Sequence, residues 1–337
     1  MKTLSVVTPC YNEEGNVEEV YQRVRSAIAS LGGNYRYEHI FIDNASRDNT
    51  FELLRLIAHA DRNVKVIRNT RNFGPVRSPI HALYQASGDA VIGIVADLQD
   101  PPEMIVDLVH KWEEGYAVVI GVKQSSDEHG LMFWIRKQYY RLVNRLSGVE
   151  TYENFTGFGL YDRKVVELVR QFSDPYPYFR GMIAEIGFQH AELPYHQPVR
   201  KRGFTKNNFY ALYDTAMLGI TNLSKVPLRI VTFSGFAGSL LAVLVSIAYF
   251  IYKLLFWNSF SLGIAPLVIG IFFLSSIQLL FMGIVGEYIG AIHTAVQNRP
   301  LVVEREKINF EYPPGAPFCD SELPANSEIS AYANGRD

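Results

Sequence analysis

Along the first 125 residues, short β-rich runs alternate with segments whose apolar residues recur at helical spacing. Residues 3–8 predict a strand, closed by Pro9. A helix is predicted over 14–31, where Val17, Val20, Val24, Ile28 and Leu31 share one face. Further strands are predicted at 38–42, 64–68, 90–95 and 117–122, with helices at 49–60 and around 76–87. Pro101 and Pro102 open another helix, Pro102 being suited to its first turn. This βαβα order predicts an α/β fold with a doubly wound, mostly parallel sheet. Ligands of such sheets bind beyond the carboxyl ends of the strands, so the acidic residues there are weighed first.

The pattern changes in the second half. Residues 131–146 read as a helix carrying Trp134, Tyr139 and Tyr140 among basic residues. Another helix is predicted at 205–224, with Phe209, Leu212, Tyr213, Ala216, Ile220 and Leu223 three and four apart. That stripe either packs on the soluble core or lies in a membrane interface. Residues 230–252 contain no charge, and neither do 254–286, a run interrupted by Trp257, Asn258 and Ser259. Each supplies the ~20 apolar residues of a membrane span, the second at about 263–286. Lys225 and Arg229 precede the first span and Arg299 and Arg305 follow the second, which predicts both ends in the cytosol. The division expected is therefore 1–203 as a cytosolic domain, 204–228 as interfacial helices, 229–290 as two spans, and 291–337 as a cytosolic tail without fixed structure after 309.

Net charge is −2, which gives no electrostatic reason to expect nucleic acid as a partner. The two cysteines, Cys10 and Cys319, match no metal or redox spacing, and the eight histidines offer no metal-binding pair. His81 reads as structural. The N-terminus lacks the apolar region and cleavage site of a signal peptide, in keeping with a cytosolic domain.

Three strand ends carry acids: Pro9-Cys10-Tyr11-Asn12-Glu13-Glu14, Asp43 to Asp48, and Asp97-Leu98-Gln99-Asp100. Asp also favours turns and helix caps, and Asp48 and Asp100 admit that reading. Three such ends on one sheet edge would converge on one crevice. A nucleoside diphosphate needs polar groups for base and ribose and a divalent cation for its phosphates, and hard cations take oxygen ligands.

These segments, with Arg71-Asn72-Phe73-Gly74, Leu160-Tyr161-Asp162-Arg163, Gly203 to Lys206, Gly286-Glu287-Tyr288 and Arg299-Pro300-Leu301, resemble the motifs of family 2 glycosyltransferases. The likeness spans residues 3 to about 303 and is nearest to the polyprenyl-phosphate glycosyltransferases related to dolichol-phosphate mannose synthase. The resemblance implies a nucleotide-sugar-binding domain of GT-A type in an integral protein of a bacterial inner membrane. It implies transfer of a single sugar, with inversion, from a nucleotide-sugar donor to a polyprenyl phosphate. Pro9, Tyr11, Glu13, Asp43 and Asp97 would hold the nucleotide sugar. Asp97, the catalytic acid of the site, and Gln99 would take Mg²⁺ or Mn²⁺. Lys123, Arg136, Arg141, Arg202 and Lys206 are candidates for the acceptor phosphate, although each could equally be a solvated or headgroup-facing charge. A homo-oligomer is left open.

The chain departs from the family pattern at Val95, where an acid is usual, at Gly157 and Gly159, where Asp and Arg are usual, and at Pro75-Val76-Arg77-Ser78-Pro79. Two other readings stand beside the transferase. A processive polysaccharide synthase of the same fold usually carries Gln-x-x-Arg-Trp, and no Trp here follows Arg. An inactive membrane scaffold would account for Val95 and Gly157 but not for the retained Asp97 and Gln99.

Overall fold

The computed structural model describes residues 1–125, 152, 155–172, 174–197, 217, 219, 221, 224–256, 264–297 and 299–310. Strand β1 (Lys2–Cys10) sends Leu4, Val6 and Cys10 to one face of the sheet and Val7 to the other, as period-two geometry requires. It pairs in parallel with β2 (Tyr35–Asp43) and with β4 (Ala90–Gly93), and β2 pairs in parallel with β3 (Val64–Asn69). This parallel core is joined by helices α1 (Val17–Ala29), α2 (Thr50–Ala60) and α3 (Gly74–Gln85). Gly74, with φ +87°, lets the chain turn from β3 into α3. A single 3₁₀ turn (Pro102–Met104) leads into α4 (Ile105–Glu113) and then β5 (Val118–Ser125).

The other strands make the sheet mixed, with four of its seven strand pairings parallel. Strand β6 (Phe155–Asp162) inserts antiparallel between β4 and β5, and β7 (His190–His196) adds in parallel outside β5. The sheet order is β7-β5-β6-β4-β1-β2-β3-β8. Helices α1, α2 and α4 pack on one face; α3, α5 (Arg163–Gln171) and α6 (Phe179–Ile186) pack on the other.

Helices α7 (Val226–Leu255) and α8 (Ile264–Val296) follow. Each contains a 27-residue stretch long and apolar enough to cross a bilayer, and the apolar 18-residue window within it is not buried in the chain. Helix α8 runs ten residues beyond the end expected from the uncharged run, to Val296. Near that end the Tyr288 hydroxyl donates to the Ser224 carbonyl at 2.6 Å, tying α8 to the entrance of α7.

The chain then returns to the sheet. Strand β8 (Glu304–Ile308) pairs antiparallel with β3, setting Val66 opposite Ile308 and Arg68 opposite Glu306. The sequence reading gave this stretch no element. Asn309 closes the strand in a left-handed conformation and donates to the carbonyls of Ala58 and Val64 at 2.7 and 2.8 Å. His81 pairs with Glu304 and Lys307 donates to Gln85 at 3.0 Å, so His81 is structural, as expected. The expected helices at 131–146 and 205–224, the loop at 257–262 and the tail after 310 lie wholly or largely outside the described residues.

Candidate active site

The parallel register places Cys10 beside Asp43 and Val7 beside Gly93, so β1, β2 and β4 end on one edge. Just past each end stands a non-glycine residue in the left-handed region: Asn12 (φ 56°), Ala45 (φ 59°) and Leu98 (φ 60°). Such conformations cost about 1–2 kcal/mol each for side chains with a Cβ, and they persist only where surroundings over-determine them. Here the surroundings are hydrogen bonds. The Asn12 amide donates to Ser46 Oγ at 2.9 Å, and Asn12 Oδ1 accepts from the Arg47 amide at 2.8 Å. The Glu13 amide donates to Thr50 Oγ1 at 2.8 Å, and the Asn44 amide to the Cys10 carbonyl at 2.9 Å. The loops after β1 and β2 are thereby one stitched unit.

Asp43 is fully buried in that unit. Burial pushes its carboxyl up from the ordinary value, while the Ser46 amide, donating at 3.1 Å, and Arg68 at 3.9 Å act in the opposite direction. Asp48 takes the turn role: its Oδ1 accepts from the Thr50 amide and hydroxyl at 3.1 and 2.6 Å at the start of α2. Asp100 does not cap its helix. It is buried and faces a crevice, accepting from the Tyr195 hydroxyl at 2.9 Å. Burial raises its carboxyl to about 6; the Tyr195 hydrogen bond lowers it and the Asp97 charge raises it.

The crevice, of about 440 Å³, opens at the end of β4. Pro9, Asp97, Gln99 and Lys123 line it together, joined by Thr156 and Gly157 of β6 and by Tyr178 and Arg180 beside α6. Pro75, Val76 and Pro79 of α3 and Val95 form an apolar wall. Asp97 is half-buried and accepts from the Gln99 amide at 3.1 Å. Of the residues expected from the sequence, Tyr11, Glu13 and Asp43 do not line this crevice but occupy the adjoining ends of β1 and β2. Arg136, Arg141, Arg202 and Lys206 lie outside the described residues.

The departures from the family pattern have local causes. Gly157 sits at φ +102°, a conformation an Asp adopts only under strain, although a Cβ there would meet nothing nearer than Phe179 at 4.0 Å. A Cβ on Gly159 would fall 2.4 Å from the Val119 carbonyl oxygen, because β6 and β5 approach closely there. Val95 fills part of the crevice wall and is 38 % exposed. Thr156, Tyr178, Arg180 and Tyr195 were missed in the sequence, where no spacing marks them; long-range pairing of β6 and β7 brings in Thr156 and Tyr195, and the start of α6, where Arg180 donates to the Phe155 carbonyl at 3.0 Å, brings in the other two.

Oxygen donors suited to a hard cation therefore share one corner: the Asp97 carboxylate, the Gln99 amide and, behind them, Asp100. Among the described residues no cluster of three His, Cys, Asp or Glu side chains could form an all-protein metal cage. That donor set fits a cation such as Mg²⁺, which usually takes only one or two carboxylates and completes its shell with water and substrate phosphates.

The family model described as "Glycosyl transferase family 2" matches residues 5–170. An uncharacterised glycosyltransferase of Synechocystis is 34 % identical over 317 residues, 92 % of this chain and 97 % of that one. A bactoprenol glucosyl transferase of Shigella phage SfII is 34 % identical over 298 residues, covering 88 % and 96 %. That of Shigella phage SfV is 33 % identical over 306 residues, covering 90 % and 99 %.

Proposed function

We propose that this chain, which belongs to glycosyl transferase family 2, moves one sugar from a nucleotide-sugar donor to a membrane polyprenyl phosphate, with inversion and with a divalent cation. The acceptor follows from the bactoprenol glucosyl transferases that resemble it over most of its length. The structural observation carrying the reading is the fastening of the crevice domain to the end of α8. Strand β8 begins eight residues after α8 ends, so a water-soluble donor and a lipid acceptor can meet at one place.

Asp97 and Gln99 would hold Mg²⁺ or Mn²⁺ together with the donor's phosphates. A bound cation supplies Lewis-acid stabilisation of the leaving diphosphate. Asp43 and the stitched loops after β1 and β2 fix the edge on which the nucleotide lies, with Pro9, Tyr11 and Glu13 beside it. Lys123 puts a positive charge in the lining of the same crevice, suited to the incoming phosphate. Arg136, Arg141, Arg202 and Lys206 remain candidates for the same task. The apolar wall of Val95, Pro75, Val76 and Pro79 keeps water from competing with the acceptor.

The missing acid at Gly157 fits this acceptor. A sugar hydroxyl must lose a proton as it attacks, which calls for a general base. A phosphate monoester, with a second pKa of ~6, is already largely a dianion at neutral pH. Its oxygen can displace the diphosphate in a single inverting step. What the chain must supply is position and charge.

Membranes containing the protein are incubated with a panel of labelled nucleotide sugars, with Mg²⁺ or with EDTA. One donor should yield a chloroform-extractable, mild-acid-labile product that EDTA abolishes. Label recovered only as free sugar or as insoluble polymer would reject the reading.

A further inference from the structure

We propose that Arg71, Arg77 and Arg299 form a phosphate-binding site beside the crevice, where α8 hands the chain back to the sheet. It goes beyond the residues assigned above, and it draws on the proposed function only for the two sources of phosphate worth testing.

Phe73, which is buried, is the platform. The guanidinium carbons of Arg71 and Arg77 lie 4.0 and 5.5 Å from the centre of its ring. Arg77 also donates to the carbonyl of Pro300, which brings the neighbouring Arg299 to the same place. Burial and then the charge of Arg71 pull the Arg77 guanidinium below its ordinary value, Tyr176 opposes them, and the charge of Arg299 adds a smaller pull downward. The three side chains therefore share one electrostatic environment of a single sign.

Among the described residues no carboxylate balances them. Arg23, Arg55, Arg68, Arg163 and Arg170 each have a carboxylate within 4 Å. Among the described residues none stands that close to Arg71, Arg77 or Arg299. The Arg77 Nε is buried without a hydrogen-bond partner. Helix α3 starts here as well, with no acid in its first turn, so its amide dipoles add positive potential. Concentrated like charges raise the free energy of the empty site and favour an anion that lowers it. Planar guanidinium groups on an aromatic platform suit the oxygens of a phosphate.

Location narrows the ligand. Pro75 and Val76, on the same turn as Arg77, line the crevice, while Arg299 follows α8 by three residues. The phosphate is therefore either that of the nucleotide donor reaching past α3 or one borne by a lipid at the end of the membrane helix.

The test uses the full chain in detergent at low ionic strength, with UDP and a water-soluble ten-carbon prenyl monophosphate as probes, titrated by calorimetry. Arg71→Gln and Arg299→Gln are compared with the parent. Arg77 is left intact because its contact with Pro300 helps to seat β8. Each variant should weaken at least one probe by about tenfold, the loss of a charge-assisted hydrogen bond, with an unchanged circular dichroism spectrum. Arg299→Lys should recover part of the loss. A loss confined to UDP assigns the site to the donor's phosphates, and one confined to the prenyl phosphate assigns it to the lipid. Binding of both probes within twofold of the parent by both Gln variants overturns the site, as does a parent that binds neither. Because the readout is binding, failure to find sugar transfer leaves this result standing.

Discussion

His39 should make the sheet sensitive to acid in a way that can be calculated. Its ring lies in the middle of β2, fully buried and packed 3.9 Å from that of Phe41. Nε2 is 2.9 Å from Thr8 Oγ1, and Nδ1 has no partner. Burial drives its pKa from 6.5 down to about 3. The folded pKa lies below the unfolded one, so a proton binds the unfolded chain more tightly. The stability His39 supports is complete above pH ~6.5 and falls as pH drops towards 3, by about 1.4 kcal/mol per pH unit. At pH 5 the loss is about 2 kcal/mol, a large part of the ~5–15 kcal/mol of an ordinary domain. The comparison is Thr8→Val/His39→Leu, which removes both polar partners at once and leaves neither stranded. Urea unfolding of both proteins in detergent, followed by Trp112 fluorescence at pH 7.5 and 5.0, measures the difference. The parent should lose about 2 kcal/mol more than the variant between the two pH values. Equal losses, within ~0.5 kcal/mol, would refute the argument that a neutral buried imidazole sets this dependence.

Asp97→Asn should lower transfer by at least about a hundredfold while the protein stays folded, because the carboxylate is half-buried in the crevice where we propose that the cation binds; near-normal turnover with Mg²⁺ would remove it from the site. Gly159→Ala forces a methyl against the Val119 carbonyl and should destabilise by about 1–3 kcal/mol, read as a lowered Tm; an unchanged Tm would mean β5 yields without cost. Leu98→Gly sets two effects against each other. It relieves a left-handed leucine, worth about 1–2 kcal/mol, but deletes a side chain only 4 % exposed, worth about 2–5 kcal/mol. Net destabilisation is expected in thermal unfolding, and a stabilised variant would show that backbone strain dominates there.

The sequence announced the strands whose apolar runs stand between clear helical patterns or turn signals: β1 to β5, with helices between them. Strand β6 escaped notice because Gly157 and Gly159 dilute its apolar face, and they are there for backbone reasons that only the contact with β5 reveals. Strand β7 contains Pro194, tolerable because it lies at the sheet's edge. Strand β8 reads as Glu-Arg-Glu-Lys-Ile, the charged composition of an edge strand, which resembles a solvated tail until its partner is known. The same division runs through the site. Asp97 stood out by its place after a strand, and the family resemblance pointed to Gln99 and Lys123; all three line the crevice. Thr156, Tyr178 and Arg180, and the meeting of Arg71 with Arg299, depend on pairings between distant segments.

The position of β8 also constrains how the protein is made. Its partner β3 is complete at Asn69, but β8 ends at Ile308, beyond both apolar helices. At elongation rates of about 5–20 residues per second, roughly 10–50 s separate the two. Throughout that interval β3 presents an open edge, the kind of surface on which unwanted pairing starts. The sheet is finished only after α8 has left the ribosome, so its last strand cannot be laid down until both long apolar helices have already been synthesised. Completion of the catalytic domain is thereby placed after the synthesis of both apolar helices.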